Sequence, residues 1–212
     1  MLIRIFLLIT VGLLLTGCAS TEESRKLELV DASICCATYD DMDFELLKLG
    51  EHSIEFGSAL DVKEFAGNRS FFKAYELPSS KGKYIKVKSF ISGDGLTGTK
   101  YFLPVFIALD KNHQAVKAFT IPMNVESSIL TYYAAGWFTL KMLGDAKYLV
   151  IMTGDVENEL FQKELAREYA FPKNQIPKET KRASHGEVEI ELRESSNDDT
   201  PYWHKVDRIV NG

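Results

Sequence analysis

The amino-acid sequence predicts a mainly β fold: an antiparallel β-sandwich-like domain with one amphipathic helix near the C-terminal third of the chain. Three patterns support this prediction. Several segments alternate apolar and charged residues, two runs are almost wholly apolar, and one stretch has the residue spacing of a helix. Antiparallel strands with few helices are typical of a sandwich.

Three segments in the first half of the domain have the spacing of strands. Phe44 to Leu49 alternates in part, and Arg69 to Leu77 is rich in aromatic residues and ends before a proline. In Lys83 to Ile91, apolar side chains alternate with lysines. We therefore expect one face of this last strand to be buried and the other to meet solvent.

A hairpin is expected in the middle of the chain. Tyr101 to Leu109 is almost wholly apolar, as a strand buried on both faces would be. A short polar turn connects it to a second strand, Ala115 to Ile121. Because Pro104 cannot donate a ladder hydrogen bond, we expect the first strand to lie at a sheet edge or to carry a bulge.

The last elements are two strands with the helix between them. Lys147 to Thr153 is another apolar run, and Glu187 to Arg193 alternates. The helix is predicted over residues 156 to 169, with Asp155 as its N-cap. Its apolar face consists of residues at positions i, i+4 and i+8: Phe161, Leu165 and Tyr169.

The start of the chain has the pattern of a lipoprotein signal. Arg4 precedes an apolar run that is shorter than the roughly 20 residues of a membrane-spanning helix. The run ends in Leu15-Thr16-Gly17-Cys18, which has the form of a bacterial lipobox. We expect residues 1–17 to be a signal peptide and Cys18 to carry the lipid. The alternative is an ordinary signal peptide with a chance cysteine.

The remaining chain is predicted to be a lipidated tether, residues 18–40, and one periplasmic β-sandwich-like domain, residues 41–212. In the enteric-type lipoproteins that this signal resembles, an aspartate after the cysteine retains the protein at the inner membrane. Ala19 stands there instead, so we expect a lipid anchor on the periplasmic side of the outer membrane. The net charge of −5 argues against a nucleic-acid partner.

Two of the three cysteines, Cys35 and Cys36, are adjacent in the sequence. With Cys18 lipidated, these two thiols remain in an oxidising compartment, where disulfides persist. Three interpretations stay open: a strained vicinal disulfide, two free thiols, or a bridge to another chain. A thiol catalyst is not expected, because the C-x-x-C spacing and a neighbouring histidine are both missing from the sequence.

No motif for catalysis, a metal or a cofactor is found in the sequence. It contains no G-x-S-x-G, no P-loop, no dinucleotide fingerprint and no H-E-x-x-H. Its histidines occur singly, without the spacing of metal ligands: His52, His113, His185 and His204. We therefore expect a protein that is not an enzyme and that holds no cofactor or metal.

The densest group of aromatic residues lies in Ile129 to Phe138, which contains Tyr132, Tyr133 and Trp137. Exposed Trp and Tyr rings stack on the apolar faces of sugars, and their polar atoms reach hydroxyl groups. Gly136 and the polar residues before this stretch favour a loop or a bent segment, where binding residues are common. The competing interpretation is core packing, because large aromatic side chains are mostly buried.

Three segments together resemble the family of the periplasmic protein of the maltose operon. They are YFLPVFIALDKNHQAVKAF, KYLVIMTGDVENELFQKELAREYAFPKNQIP and RASHGEVEIEL, and their order and spacing match over roughly residues 45 to 195. The resemblance implies a non-enzymatic periplasmic protein associated with carbohydrate transport, with no agreed catalytic residues to carry over. The chain departs from the enteric member in having a lipobox and in lacking a long C-terminal tail.

Three functions are therefore weighed from the sequence. The first is an accessory or binding protein for maltodextrin uptake at the outer membrane. The second is a structural envelope lipoprotein that binds another protein, such as a porin, and no sugar. The third is a hydrolase with an unrecognised site, which would need two carboxylates facing each other across a cleft.

Overall fold

The computed structural model describes residues 22–65, 67–79, 81–92, 100–121, 123–127, 132–153, 181–182 and 186–194. Within these ranges the chain forms one α-helix, α1 (Glu22–Asp31), one short 3-10 helix (Leu140–Leu143) and two β-sheets. In chain order the strands are β1 (Glu45–Leu46), β2 (Gly50–Phe56), β3 (Asp61–Phe65), β4 (Asn68–Glu76), β5 (Lys83–Ser92), β6 (Lys100–Tyr101), β7 (Pro104–Leu109), β8 (Ala115–Phe119), β9 (Asn124–Ser127), β10 (Tyr132–Thr139), β11 (Tyr148–Thr153), β12 (Lys181–Arg182) and β13 (Gly186–Glu194).

The prediction of a mainly β fold is confirmed. The predicted strands within residues 69–77, 83–91, 115–121 and 147–153 correspond to β4, β5, β8 and β11, and the strand at 187–193 corresponds to β13. The helix predicted over residues 156 to 169 lies outside the described residues, as does Cys18.

The first sheet has the strand order β1-β4-β11-β7-β8, and β3 pairs with β4 on the same side as β1. The second sheet has the order β9-β10-β5-β13-β2, with the short strands β6 and β12 beside the end of β5. Most neighbouring strands are antiparallel, and β1 runs parallel to β4. The two sheets share one hydrophobic core, to which each contributes every second residue of its strands.

The main apolar core contains large, fully buried side chains from both sheets. The first sheet contributes residues such as Phe71, Phe106 and Leu149, and the second contributes residues such as Ile85, Phe138 and Ile190. Because neighbouring residues of a strand point to opposite faces, this pattern fixes which side chains of the second sheet point away from the core. Those outward positions form the candidate site described below.

A second apolar cluster covers the outer face of the first sheet. Residues 34–44, which we name the strap, cross this face and place Cys36 and Met42 in the cluster. They pack against side chains that alternate with those of the main core: Phe72, Ala74, Val105, Ile107, Val150 and Met152. The strap also contacts the turn between β7 and β8. There, Nδ1 of His113 lies 2.5 Å from Oδ1 of Asp40. Both faces of the first sheet are thus covered, which explains its continuous apolar strands.

Part of the segment expected to be a tether, residues 18–40, packs against the domain. Leu29 and Ala32 contact the main core. The guanidinium of Arg69 donates hydrogen bonds to the carbonyl oxygens of Val30 and Ala32. The packed part of the chain therefore begins before the expected boundary at residue 41.

For the strand that contains Pro104 the sequence predicts an edge position or a bulge; the edge position is wrong, whereas a bulge-type irregularity is present. β7 lies between β11 and β8, and Pro104 is its first residue, opposite Thr153. The first position of a strand tolerates proline because the ladder does not yet require its amide. A register irregularity does occur in the β7–β8 pair, but it lies at the far end, between Ala108 and Leu109.

Candidate functional site

Tyr132, Tyr133 and Trp137 lie on a regular strand of the second sheet, β10, and not in the loop that the sequence suggested. This strand pairs with β9 on one side and with β5 on the other. Tyr132 is its first residue, and its side chain is outside the described part of the structure. The strand forms because tyrosine, tryptophan and phenylalanine favour the pleated surface, and pairing on both sides satisfies its backbone.

The two described aromatic side chains of this group, Tyr133 and Trp137, share the outer face of the second sheet. Ala134 and Phe138 of the same strand are buried in the main core, so the residues that alternate with them point outward. Both rings are half-buried. Their placement is intermediate between the two interpretations drawn from the sequence, since neither ring enters the core and neither is fully exposed.

Two further aromatic residues, Tyr84 and Phe90, extend this group on the neighbouring strand β5. The ring centroids of Tyr84 and Trp137 are 5.1 Å apart, and those of Phe90 and Tyr133 are 6.4 Å apart. We name these four residues the aromatic face. The outward placement of Tyr84 and Phe90 could be predicted from the sequence. Both are an even number of residues from Lys86 and Lys88, which point outward on the same strand.

Charged side chains continue the outer surface from β5 to β13 and β2. Lys86 stands opposite Trp137 in the strand register, and its Nζ lies 5.1 Å from the centroid of the indole ring. Lys88 forms ion pairs with Glu189 of β13 and, at 3.6 Å, with Glu51 of β2. Burial acts to lower the pKa of Lys88, but the hydrogen bond to Glu189 and the nearby carboxylates outweigh it and raise the pKa. Lys88 is therefore held as a charged, paired group.

Glu191 of β13 differs from the other carboxylates of this surface because it is buried. Its Oε1 accepts a hydrogen bond from Nε of Arg193. This hydrogen bond raises the pKa of Arg193, and contact with Tyr84 adds to the effect. The other oxygen, Oε2, is buried and has no hydrogen-bond partner among the described residues. A buried acceptor without a donor is destabilising, so this oxygen is a place where a donor would bind favourably.

The vicinal cysteines lie in the strap, on the outer face of the first sheet, whereas the aromatic face belongs to the second sheet. In the structure the sulfur atoms of Cys35 and Cys36 form a disulfide. Cys35 is exposed, whereas Cys36 is 4% exposed and packs in the second apolar cluster. The backbone amide of Cys35 donates to the carbonyl oxygen of Val62 at 2.9 Å, which continues the pairing of the strap with β3.

The ammonium of Lys63 is buried beneath the strap. It donates hydrogen bonds to the carbonyl oxygens of Cys36 and Ala37, at 3.1 Å and 2.5 Å, and lies over the ring of Tyr39. Burial lowers the pKa of Lys63, while the charge of Asp41 opposes that effect. These contacts are all to backbone oxygens or to rings, so the arrangement fixes the path of the strap.

The described residues contain no group of three or more histidine, cysteine, aspartate or glutamate side chains that could hold a metal ion. Nor does any described helix have the length and apolar character needed to cross a membrane. No protein-family model matches the chain, and no curated protein matches its sequence at a significant level. The geometry of the outer face of the second sheet is therefore the main guide to function.

Proposed function

We propose that this chain is a non-enzymatic lipoprotein on the periplasmic side of the outer membrane that binds maltodextrins or similar neutral oligosaccharides and assists carbohydrate uptake. The observation that carries the proposal is the aromatic face on the second sheet. Its rings lie on the strand pair β10 and β5; Tyr84 is buried, and the other three are half-buried beside carboxylates and lysines that can exchange hydrogen bonds with sugar hydroxyls. The rings of Tyr133 and Trp137 supply apolar contact and a polar edge together.

The spacing of the rings favours a chain of sugars over a single sugar. Tyr133 and Trp137 are four residues apart on one strand, which places their Cα atoms roughly 13 Å apart. A single pyranose ring cannot cover both side chains at that separation. An oligosaccharide that lies along the strand can contact both, and each stacked ring then adds to the affinity.

The charges around the aromatic face favour a neutral ligand. Lys88 is paired with Glu189 and Glu51, and Arg193 is paired with Glu191. A strongly acidic or basic ligand would meet both signs of charge here and would gain little net attraction. Hydroxyl groups, which both donate and accept hydrogen bonds, suit such a mixed surface.

We propose that the two sheets form a β-sandwich, with the amphipathic helix over residues 156 to 169 packed on it. Lipidation at Cys18 would hold this domain at the membrane, and several acyl chains anchor a protein more firmly than one chain does. The resemblance to the maltose-operon family agrees with this role, and membership of that family stays a prediction.

The experiment that tests the proposed function compares two neighbouring residues of β10. Trp137→Ala removes an outward ring, and we expect it to weaken binding of maltoheptaose by about 5–30-fold, or about 1–2 kcal/mol, in a calorimetric titration. Phe138→Ala is the matched control: its side chain is 1% exposed in the core. We expect it to lower stability by about 3–5 kcal/mol without a comparable loss of affinity in the folded protein.

Two results would contradict the proposed function. One is a wild-type protein that binds no maltoheptaose or other neutral oligosaccharide. The other is a Trp137→Ala variant that melts at a lower temperature but binds as the wild type does. The first result would move the assignment to the other function predicted from the sequence, a structural lipoprotein that contacts a protein such as a porin. The second would show that the sugar does not bind at Trp137.

A further inference from the structure

Lys86 lies between Trp137 and Glu191 in one row across three strands of the second sheet. The register pairs Trp137 of β10 with Lys86 of β5, and Lys86 with Glu191 of β13. Since paired residues of neighbouring strands point to the same face, all three side chains lie on the outer face. Neighbouring strands are roughly 4.8 Å apart, so the long side chain of Lys86 can reach either neighbour.

The ammonium of Lys86 lies over the indole of Trp137, with 5.1 Å between Nζ and the ring centroid. The negative face of the ring attracts the cation, and this contact is favourable. It also places the ammonium on a surface of the indole where a sugar ring would stack. A sugar can therefore occupy this face of Trp137 only if Lys86 moves.

On the other side of Lys86, the Oε2 atom of Glu191 is a buried acceptor with no donor among the described residues. Arg193 already occupies Oε1, through its Nε. The position between Glu191 and Lys86 is thus one in which an ammonium would gain a charge-assisted hydrogen bond. Lys86 therefore has two favourable partners, the indole of Trp137 and Oε2 of Glu191. In this structure its ammonium lies over the indole.

We propose, on the basis of the function proposed above, that Lys86 has two positions that are linked to ligand binding. In the free protein its ammonium lies over Trp137. When an oligosaccharide stacks on Trp137, the ammonium turns to Oε2 of Glu191, and the new ion pair offsets the lost contact with the ring. Lys86 and Glu191 are then positioning residues that set the affinity without stacking on the sugar themselves.

A double-mutant cycle on maltoheptaose affinity tests this coupling. Lys86→Met keeps the alkyl chain and removes the charge, and Glu191→Gln keeps the shape of the side chain. With Lys86 present, we expect Glu191→Gln to weaken binding by about fivefold, because the bound-state ion pair is lost. In the Lys86→Met background the same change should alter affinity by less than about twofold.

Glu189→Gln is the matched control for the cycle. Glu189 is two residues from Glu191 on the same strand and outer face, but it is already paired with Lys88. Its effect should therefore be the same with or without Lys86→Met. Coupling that is equally strong for Glu189 would mean a general charge effect and would overturn the inference.

A second measurement leaves Glu191 unchanged. It is needed in case the Glu191→Gln variant does not fold, because Glu191 is buried. The side-chain protons of Lys86 next to Nζ, assigned by their loss in Lys86→Met, should show a ring-current shift in the free wild type. Saturating maltoheptaose should remove that shift. A shift that persists in the bound protein would overturn the inference.

The outcomes separate this inference from the proposed function. Intact binding with additive effects of Lys86→Met and Glu191→Gln would overturn the two-position account alone and leave the oligosaccharide site in place. A wild type that binds no maltoheptaose would overturn both. Coupled effects together with a lost ring-current shift would support both.

Discussion

The ammonium of Lys63 lies 3.1 Å from the carbonyl oxygen of Cys36, although Lys63 is on β3 and Cys36 is in the strap. This hydrogen bond joins the backbone of the strap at Cys36 to strand β3 of the first sheet. The side chain of Cys36 packs in the second apolar cluster. The pair thus serves to hold the strap over the sheet. It lies on the first sheet, whereas the aromatic face lies on the second.

We predict that replacing both cysteines will affect stability and not ligand binding. Cys35→Ser/Cys36→Ser removes the disulfide and puts a hydroxyl into an apolar cluster, so the free energy of unfolding should fall by about 1–3 kcal/mol. Maltoheptaose affinity should stay within a few-fold of the wild type. Denaturant unfolding and calorimetric titration check the two effects, and a folded double variant with no binding would contradict this separation.

We predict that Lys63 makes stability depend on pH in the alkaline range. Burial lowers its folded pKa below the unfolded value of about 10.5. Between the folded and the unfolded pKa, the unfolded chain binds more protons than the folded protein, so the free energy of unfolding rises with pH. The full contribution of Lys63 to stability is present above the unfolded pKa. The contribution is lost as pH falls through the folded pKa.

The measurement for Lys63 is the difference in unfolding free energy between the wild type and Lys63→Met, followed through that pH window. The wild type should gain stability relative to the variant as pH rises, because the variant has no group that titrates at this position. A difference that is flat or falls with pH would show that the ammonium is not held in a desolvated site.

We predict that Cys18 receives the lipid. In cells fed labelled palmitate, the wild type should incorporate the label and sediment with the outer membrane, because the lipobox directs acylation of this thiol. Cys18→Ser should incorporate none. Cys35→Ser/Cys36→Ser is the control, since loss of the other thiols should leave labelling unchanged. Label that persists in Cys18→Ser would refute the assignment of the anchor.

We predict that the helix over residues 156 to 169 packs on the domain through its apolar face. Leu165→Ala should then lower the free energy of unfolding by about 2–5 kcal/mol, as truncation of buried leucines does. Lys163 is two residues from both Phe161 and Leu165, which puts it on the opposite face of the predicted helix, so Lys163→Ala should cost far less. A loss below about 0.5 kcal/mol for Leu165→Ala would mean that this face is not buried.

Strands with a clear alternation or a long apolar run could be predicted from the sequence. Burial on one face requires apolar residues at alternate positions, and burial on both faces requires a continuous apolar run. β5 is an example, since Ile85 and Val87 face the core while Lys86 and Lys88 face outward. β2 was not predicted, because only Ile54 and Phe56 of its seven residues are buried and the rest read as polar. A weak pattern of this kind becomes a strand only when its neighbour, here β13, supplies the pairing.

The candidate site could be predicted in part. The aromatic residues of β10 can be found by composition, but Gly136 and the polar residues before this stretch favour a loop or a bent segment. Pairing with β9 and β5 makes it a strand instead. The row of Trp137, Lys86 and Glu191 could not be found, because its members are far apart in the sequence. Only the strand order and register bring them together, and those are set by packing across the whole domain.

We propose that an oligosaccharide binds along the outer face of the second sheet. Mapping of backbone amide chemical shifts in the mature chain, with and without saturating maltoheptaose, tests it most directly. We predict that the largest changes occur on β10 and β5, at Tyr133, Trp137 and Lys86, and that the strap around Cys36 is unaffected. The absence of any change, or changes confined to the strap and the first sheet, would contradict the account.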